Sequence, residues 1–139
     1  MNPARGRVGA RSRWLWGLIV GCSLGPLSAQ TAQPAEWILR QPPAHHTLQL
    51  ITLSGREQTR RFLASLDQEG LDMQQVATFR YRRGEELLYV VVYGSFAAPE
   101  QAKAATQLMQ GPTLMPDSFL VRSVAGLQQR IRTTLQDTP

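Results

Sequence analysis

The chain has 139 residues, 42% of them hydrophobic, enough for one domain with its own core plus appendages. Its formal charge of +5 points at first toward nucleic acid. The distribution removes that reading: of 15 basic residues, Arg5, Arg7, Arg11 and Arg13 sit in an acid-free start, leaving 11 against 10 acidic residues over the rest.

In the opening stretch, "MNPARGRVGARSRWLWGLIVGCSLGPLSAQ", the arginines lead into an apolar run from Trp14 to Val20 that weakens through Leu27 and ends at Ser28 and Ala29. Such a segment is an export signal or an anchor. Three readings stay open: cleavage after Ala29, lipid attachment at Cys22 within "IVGC", or retention as an anchor, for which the run is short of the ~20 apolar residues of a comfortable span. Each sends the remainder out of the cytoplasm, into the periplasm or held at the cell membrane facing it. The expected organisation is a signal peptide or anchor over 1–29, a linker over 30–35 and one domain over 36–135, with membrane contact confined to the first segment. Cys22 is the sole cysteine, so the exported part has no disulfide and no cysteine-based metal site.

"AEWILRQPP" gives about one helical turn, stopped by Pro42 and Pro43. "HTLQLITL" alternates as a half-buried strand, with Gln49 and Ile51 opposite Leu48 and Leu50. A helix follows over "SGREQTRRFLASLDQEG": Ser54 or Gly55 begins it, Phe62, Leu63 and Leu66 form its stripe, and Gly70 ends it. "QQVATFRYRRGEELLYVVVYGSF" is a hairpin turning at Gly84. "APEQAKAATQLMQG" is a second helix with Ala102, Ala105, Leu108 and Met109 on one face. "DSFLVRSV" is a last strand, and "AGLQQRIRTTL" a final amphipathic helix carrying Leu127, Ile131 and Leu135.

The order β-α-β-β-α-β predicts an α+β, ferredoxin-like fold: a four-stranded antiparallel sheet with two helices on one face, plus short N-terminal and C-terminal helices. Leu88, Val90 and Val92 share one side of their strand, and Tyr89, Val91 and Tyr93 the other. With both sides apolar, something must cover part of the otherwise open face, with Trp37, Ile38 and the C-terminal helix as candidates; an uncovered patch would be a binding surface.

"TLQL" behind a W-x-x-x-Q-P-P lead-in, the run "LYVVVYGSFAAPEQAKAA" and an aromatic-containing strand before "VRSVAGLQQRI" together resemble the SPOR (sporulation-related repeat) domain, its division-protein branch most of all. The likeness runs over about residues 36 to 133. It implies a non-catalytic, extracytoplasmic module that binds septal peptidoglycan, preferring glycan strands stripped of stem peptides, and so targets its carrier to the division site. The ligand is expected on the open sheet face, and no cofactor is implied. The glycan-contacting positions carry over as Gln49 and Thr52. Where many members have tryptophan, this chain has Leu88 and Phe119, of which the phenyl ring can still stack on a sugar.

If the hairpin turns Phe79 and Tyr81 toward the helices, Arg80 and Arg82 project beside Gln49, suited to the lactyl carboxylate of muramic acid. Plainer readings stand beside these: Gln49, Arg80 and Arg82 as solvated side chains, and Phe119 as core if its strand slips by one residue. His45 and His46 read as loop residues rather than ligands or bases. No nucleophile elbow occurs and Glu85 and Glu86 sit at a hairpin tip, so catalysis is not expected. The alternative function is an envelope protein-interaction module that docks a division or envelope membrane protein on its open sheet face. An RNA-binding use of the same topology lacks its aromatic-basic strand pattern.

Overall fold

A computed structural model describes residues 31–109 and 111–136. The expected signal or anchor over 1–29, with Cys22, lies outside the described residues. Among these, no helix is long and apolar enough to cross a membrane.

The elements run α1 (Ala35–Leu39), β1 (His46–Leu53), α2 (Arg56–Gln68), β2 (Val76–Arg83), β3 (Glu86–Phe96), α3 (Pro99–Thr106), β4 (Leu120–Ser123) and α4 (Val124–Gln136), with single 3-10 turns at Met73–Gln75 and Pro116–Ser118. The four strands form one antiparallel sheet in the order β2-β3-β1-β4. This is the α+β, ferredoxin-like arrangement that the element order predicts. The β2–β3 hairpin closes on Gly84 and Glu85, with Gly84 at φ +63, a conformation that an L side chain rarely adopts. Gly70 at φ +87 ends α2 in the same way, and the Leu71 amide bonds back to the Leu66 carbonyl at 3.1 Å.

The sheet is covered on both faces. On one, Leu48, Leu50, Val76 and Val91 pack with Leu66 of α2 and Ala102 of α3. On the other, Ala77, Phe79, Val90 and Val92 pack with Ile38 of α1 and with Leu127 and Ile131 of α4, all 5% exposed or less. The expectation of a cover over β3 is met by Ile38 and the C-terminal helix. Burying each large side chain in such a layer contributes about 1.5–3 kcal/mol, so α1 and α4 are part of the fold's stability.

A buried amide locks these two helices together. At five residues, α1 closes with the amides of Arg40 and Gln41 on the carbonyls of Glu36, Trp37 and Ile38, and carbonyl lone pairs at its end remain for other donors. Gln128 of α4, 3% exposed, sends its side-chain NH2 to the carbonyls of Ile38 (3.0 Å), Leu39 (3.4 Å) and Gln41 (2.8 Å).

Four details depart from the sequence pattern. Gln33, expected in a linker, lies along the edge of β2: its amide donates to the Val76 carbonyl (2.7 Å), and its carbonyl accepts from the Thr78 amide (3.0 Å). The helix expected through Gln110 closes at Thr106, which leaves Leu108 84% exposed rather than on the packed face. The last strand shrinks to four residues because Pro116–Ser118 forms a 3-10 turn before it. Leu135 is 56% exposed, while Leu127 and Ile131 are buried as their spacing predicts.

Candidate functional site: a groove between the sheet and the C-terminal helix

Strand β1 is not regular. Gln49 pairs with Val92 and Ile51 with Val91, so Leu50 is an extra residue facing a single step of β3. This bulge sends Leu50 and Ile51 both toward α2 and α3, and restores Thr52, opposite Val90, to the side that carries Gln49. Simple alternation sets Ile51 beside Gln49, and the bulge corrects this. It also brings together two polar groups three residues apart: the Gln49 NH2 donates to the Thr52 hydroxyl at 3.2 Å.

On the neighbouring strand, Leu48 pairs with Val121 and Thr47 with Arg122. Arg122 therefore shares the face of Gln49, and its Nε donates to Gln49 Oε1 at 3.2 Å. Since a guanidinium can only donate, this bond fixes which end of the amide points where. The result is a chain Arg122–Gln49–Thr52 across β4 and β1.

Across the sheet, Phe79 and Tyr81 of β2 stand on this same face, their ring centroids 6.3 Å apart. The guanidinium of Arg130, from α4, lies over the Tyr81 ring at 4.8 Å from its centroid. Gln49, Tyr81, Arg122, Ser123, Gly126 and Arg130 help to line one groove of about 230 Å³, and no carboxylate is among its lining residues. It lies where α4 leaves the end of β4 and crosses back over the sheet toward β2.

The other expected contact residues lie elsewhere. Arg80 and Arg82 sit on the strand positions opposite to Phe79 and Tyr81, because the hairpin turns its aromatic side, not its arginines, toward the face of Gln49. Arg82 donates to the Glu85 carbonyl (3.5 Å) at the hairpin tip. Leu88 is on the expected face, yet it is 3% exposed and has no surface to offer a sugar ring. Phe119 falls on the same side as Val121 and packs, half-buried, against the α2/α3 core; the one-residue slip places it under the helices. It borders a separate depression with Leu48, Lys103 and Met109.

Arg122 and Arg130 are the residues that sequence reasoning missed. The alternation of "FLVR" offered a signal, since an apolar Phe119–Val121 side implies that Leu120 and Arg122 face the other way. The docking alternative loses its surface, because the apolar side chains of β3 that it requires lie beneath α1 and α4.

His45 Nδ1 and the Ser95 hydroxyl share a 2.8 Å hydrogen bond, whereas His46 opens β1. Tyr93, on the α2/α3 side, has its phenol pushed above the ordinary value by burial and, to a lesser degree, by the negative charge of Asp72. Neither feature reaches the groove.

The sequence profile of the SPOR domain matches residues 42–122, more than half of the chain. The chain belongs to the SPOR domain family. Its members are peptidoglycan-binding modules of septal targeting, found in periplasmic division proteins. No curated protein matches the chain. The matched stretch holds the whole sheet up to Arg122 with α2 and α3, whereas α1 and nearly all of the α4 side of the groove, Arg130 included, lie beyond it.

Proposed function

We propose that this chain is a non-catalytic module that binds peptidoglycan glycan strands, with a preference for strands stripped of stem peptides, and thereby directs its carrier to the division site. The observation that carries this reading is the Arg122–Gln49–Thr52 hydrogen-bonded chain, whose Arg122 and Gln49 line an open groove. The amide of Gln49 is held at both ends and still has a second N–H and a second lone pair for a ligand; Thr52, which accepts from it, keeps its own O–H to donate. These groups match the hydroxyl and N-acetyl groups of a sugar chain. A site that is already oriented loses less freedom when it binds.

The reading assigns the glycan to the strip between β1, β4 and α4 rather than to the full width of the sheet. Leu88 is left as packing, and Phe119 supports the far layer. With residues 1–29 acting as export signal or anchor, the module works in the periplasm, free or tethered to the membrane.

The test is co-sedimentation with purified sacculi before and after amidase digestion. The wild-type chain is expected to pellet more strongly with the digested sacculi, and Gln49→Ala to weaken that binding at least about fivefold, the loss of one or two ligand hydrogen bonds. Equal recovery of both proteins in the supernatant, with both still folded by circular dichroism, contradicts the reading.

A further inference from the structure

We propose that Arg122 and Arg130 together read the lactyl carboxylate of muramic acid, an inference that rests on the glycan-binding reading above and names the chemical group that this groove selects.

Two guanidinium groups border one small groove with no carboxylate in its lining. Among the described residues neither Arg122 nor Arg130 is ion-paired, while Arg60 and Arg83 are, with Glu57 at 3.7 Å and Glu86 at 3.2 Å. Each of the two is instead held in a way that leaves donors free. Arg122 uses Nε on Gln49, which orients the guanidinium plane and leaves the edge formed by its two terminal NH2 groups. The guanidinium of Arg130 lies over the Tyr81 ring at 4.8 Å from its centroid, a cation–π contact that needs no oxygen acceptor. Two guanidinium groups beside one groove, one of them oriented by its bond to Gln49, suit a planar, bidentate acceptor, and a carboxylate is the acceptor that fits.

The lactyl group of muramic acid ends in a free carboxylate only when the stem peptide has been removed; otherwise that carbon is locked in an amide. A site that reads this charge therefore reads the stripped state itself. Arg130 belongs to α4, outside the stretch that matches the family, so this half of the pair is supplied by the chain's own C-terminal helix.

The experiment measures binding of the full chain to three preparations of the same glycan: intact strands with stem peptides, amidase-treated strands, and amidase-treated strands whose carboxylates are then converted to methylamides with carbodiimide. The expected result is binding to the amidase-treated strands at least about tenfold tighter than to the methylamide form. Arg122→Gln/Arg130→Gln is expected to bind both forms alike, at the weaker level. Tight wild-type binding that is equal for the acid and methylamide forms overturns the carboxylate inference and leaves the glycan reading standing. Binding to intact strands as tight as to the amidase-treated ones overturns it too, by assigning recognition to the peptide's carboxylates. No binding to any of the three overturns both.

Discussion

On its α2/α3 side the sheet meets two long-range crossover helices through a broad apolar layer in which Leu48, Leu50, Val91, Leu66 and Ala102 are all buried. On its other side, α1 and α4 cover only the part over β2 and β3, and beside them Gln49, hydrogen-bonded to Thr52 and Arg122, lines an open groove together with Arg122. The first face is packed through this apolar layer. The second is divided between a packed half, sealed by Ile38, Leu127 and Ile131, and a polar half bounded by the same helix that does the sealing. The helix following directly on β4, 13 residues long, is thus both a lid for the core and a wall of the groove. Substitutions on the two faces, and on the two halves of the second, should separate stability from binding.

The largest effect is expected at the joint between α1 and α4. Gln128→Leu removes the donor shared by three main-chain carbonyls and is expected to lower stability by about 2–3 kcal/mol in urea unfolding, with the α2/α3 side intact in the native state. An unchanged midpoint would mean that α4 is not seated as described. Leu88→Trp installs the indole common in the family at a position 3% exposed here. Overpacking is expected to cost about 1–3 kcal/mol with no gain in glycan affinity, which calorimetric titration beside a thermal melt will separate. Phe119→Ala, half-buried on the far face, is expected to lose about 1–2 kcal/mol of stability and none of the binding. The smallest effect belongs to Arg80→Gln/Arg82→Gln: both are exposed and on the wrong side, so glycan affinity is expected to stay within about twofold, and a larger loss would move the site to the hairpin.

Much of this fold was legible in the residues. Gly84 and Gly70 mark conformations that other residues avoid, the Phe62–Leu63–Leu66 stripe marks a packed helix, and two apolar sides on β3 required a cover. The site was legible only in part, for a geometric reason. A period of two says which residues share a face but not toward which layer that face turns, and a bulge interrupts the period without any glycine or proline to announce it. Regular alternation separates Gln49 from Thr52; Leu50, the inserted residue, brings the two onto one face. Alternation alone points to β2 for arginines beside Gln49, because Arg80 and Arg82 alternate with Phe79 and Tyr81 and the pattern allows two orientations. The arginines of the groove come instead from β4 and from a helix whose crossing angle no local pattern encodes.

The most direct measurement is a chemical-shift titration of the isotope-labelled chain with amidase-treated glycan strands. Binding in the groove beside α4 predicts that the largest changes fall on Gln49, Thr52, Arg122, Gly126 and Arg130, with the side-chain amide of Gln49 among them. Changes concentrated instead around Met109 and Phe119, or at Arg80 and Arg82, with the Gln49 signals unmoved, would contradict it.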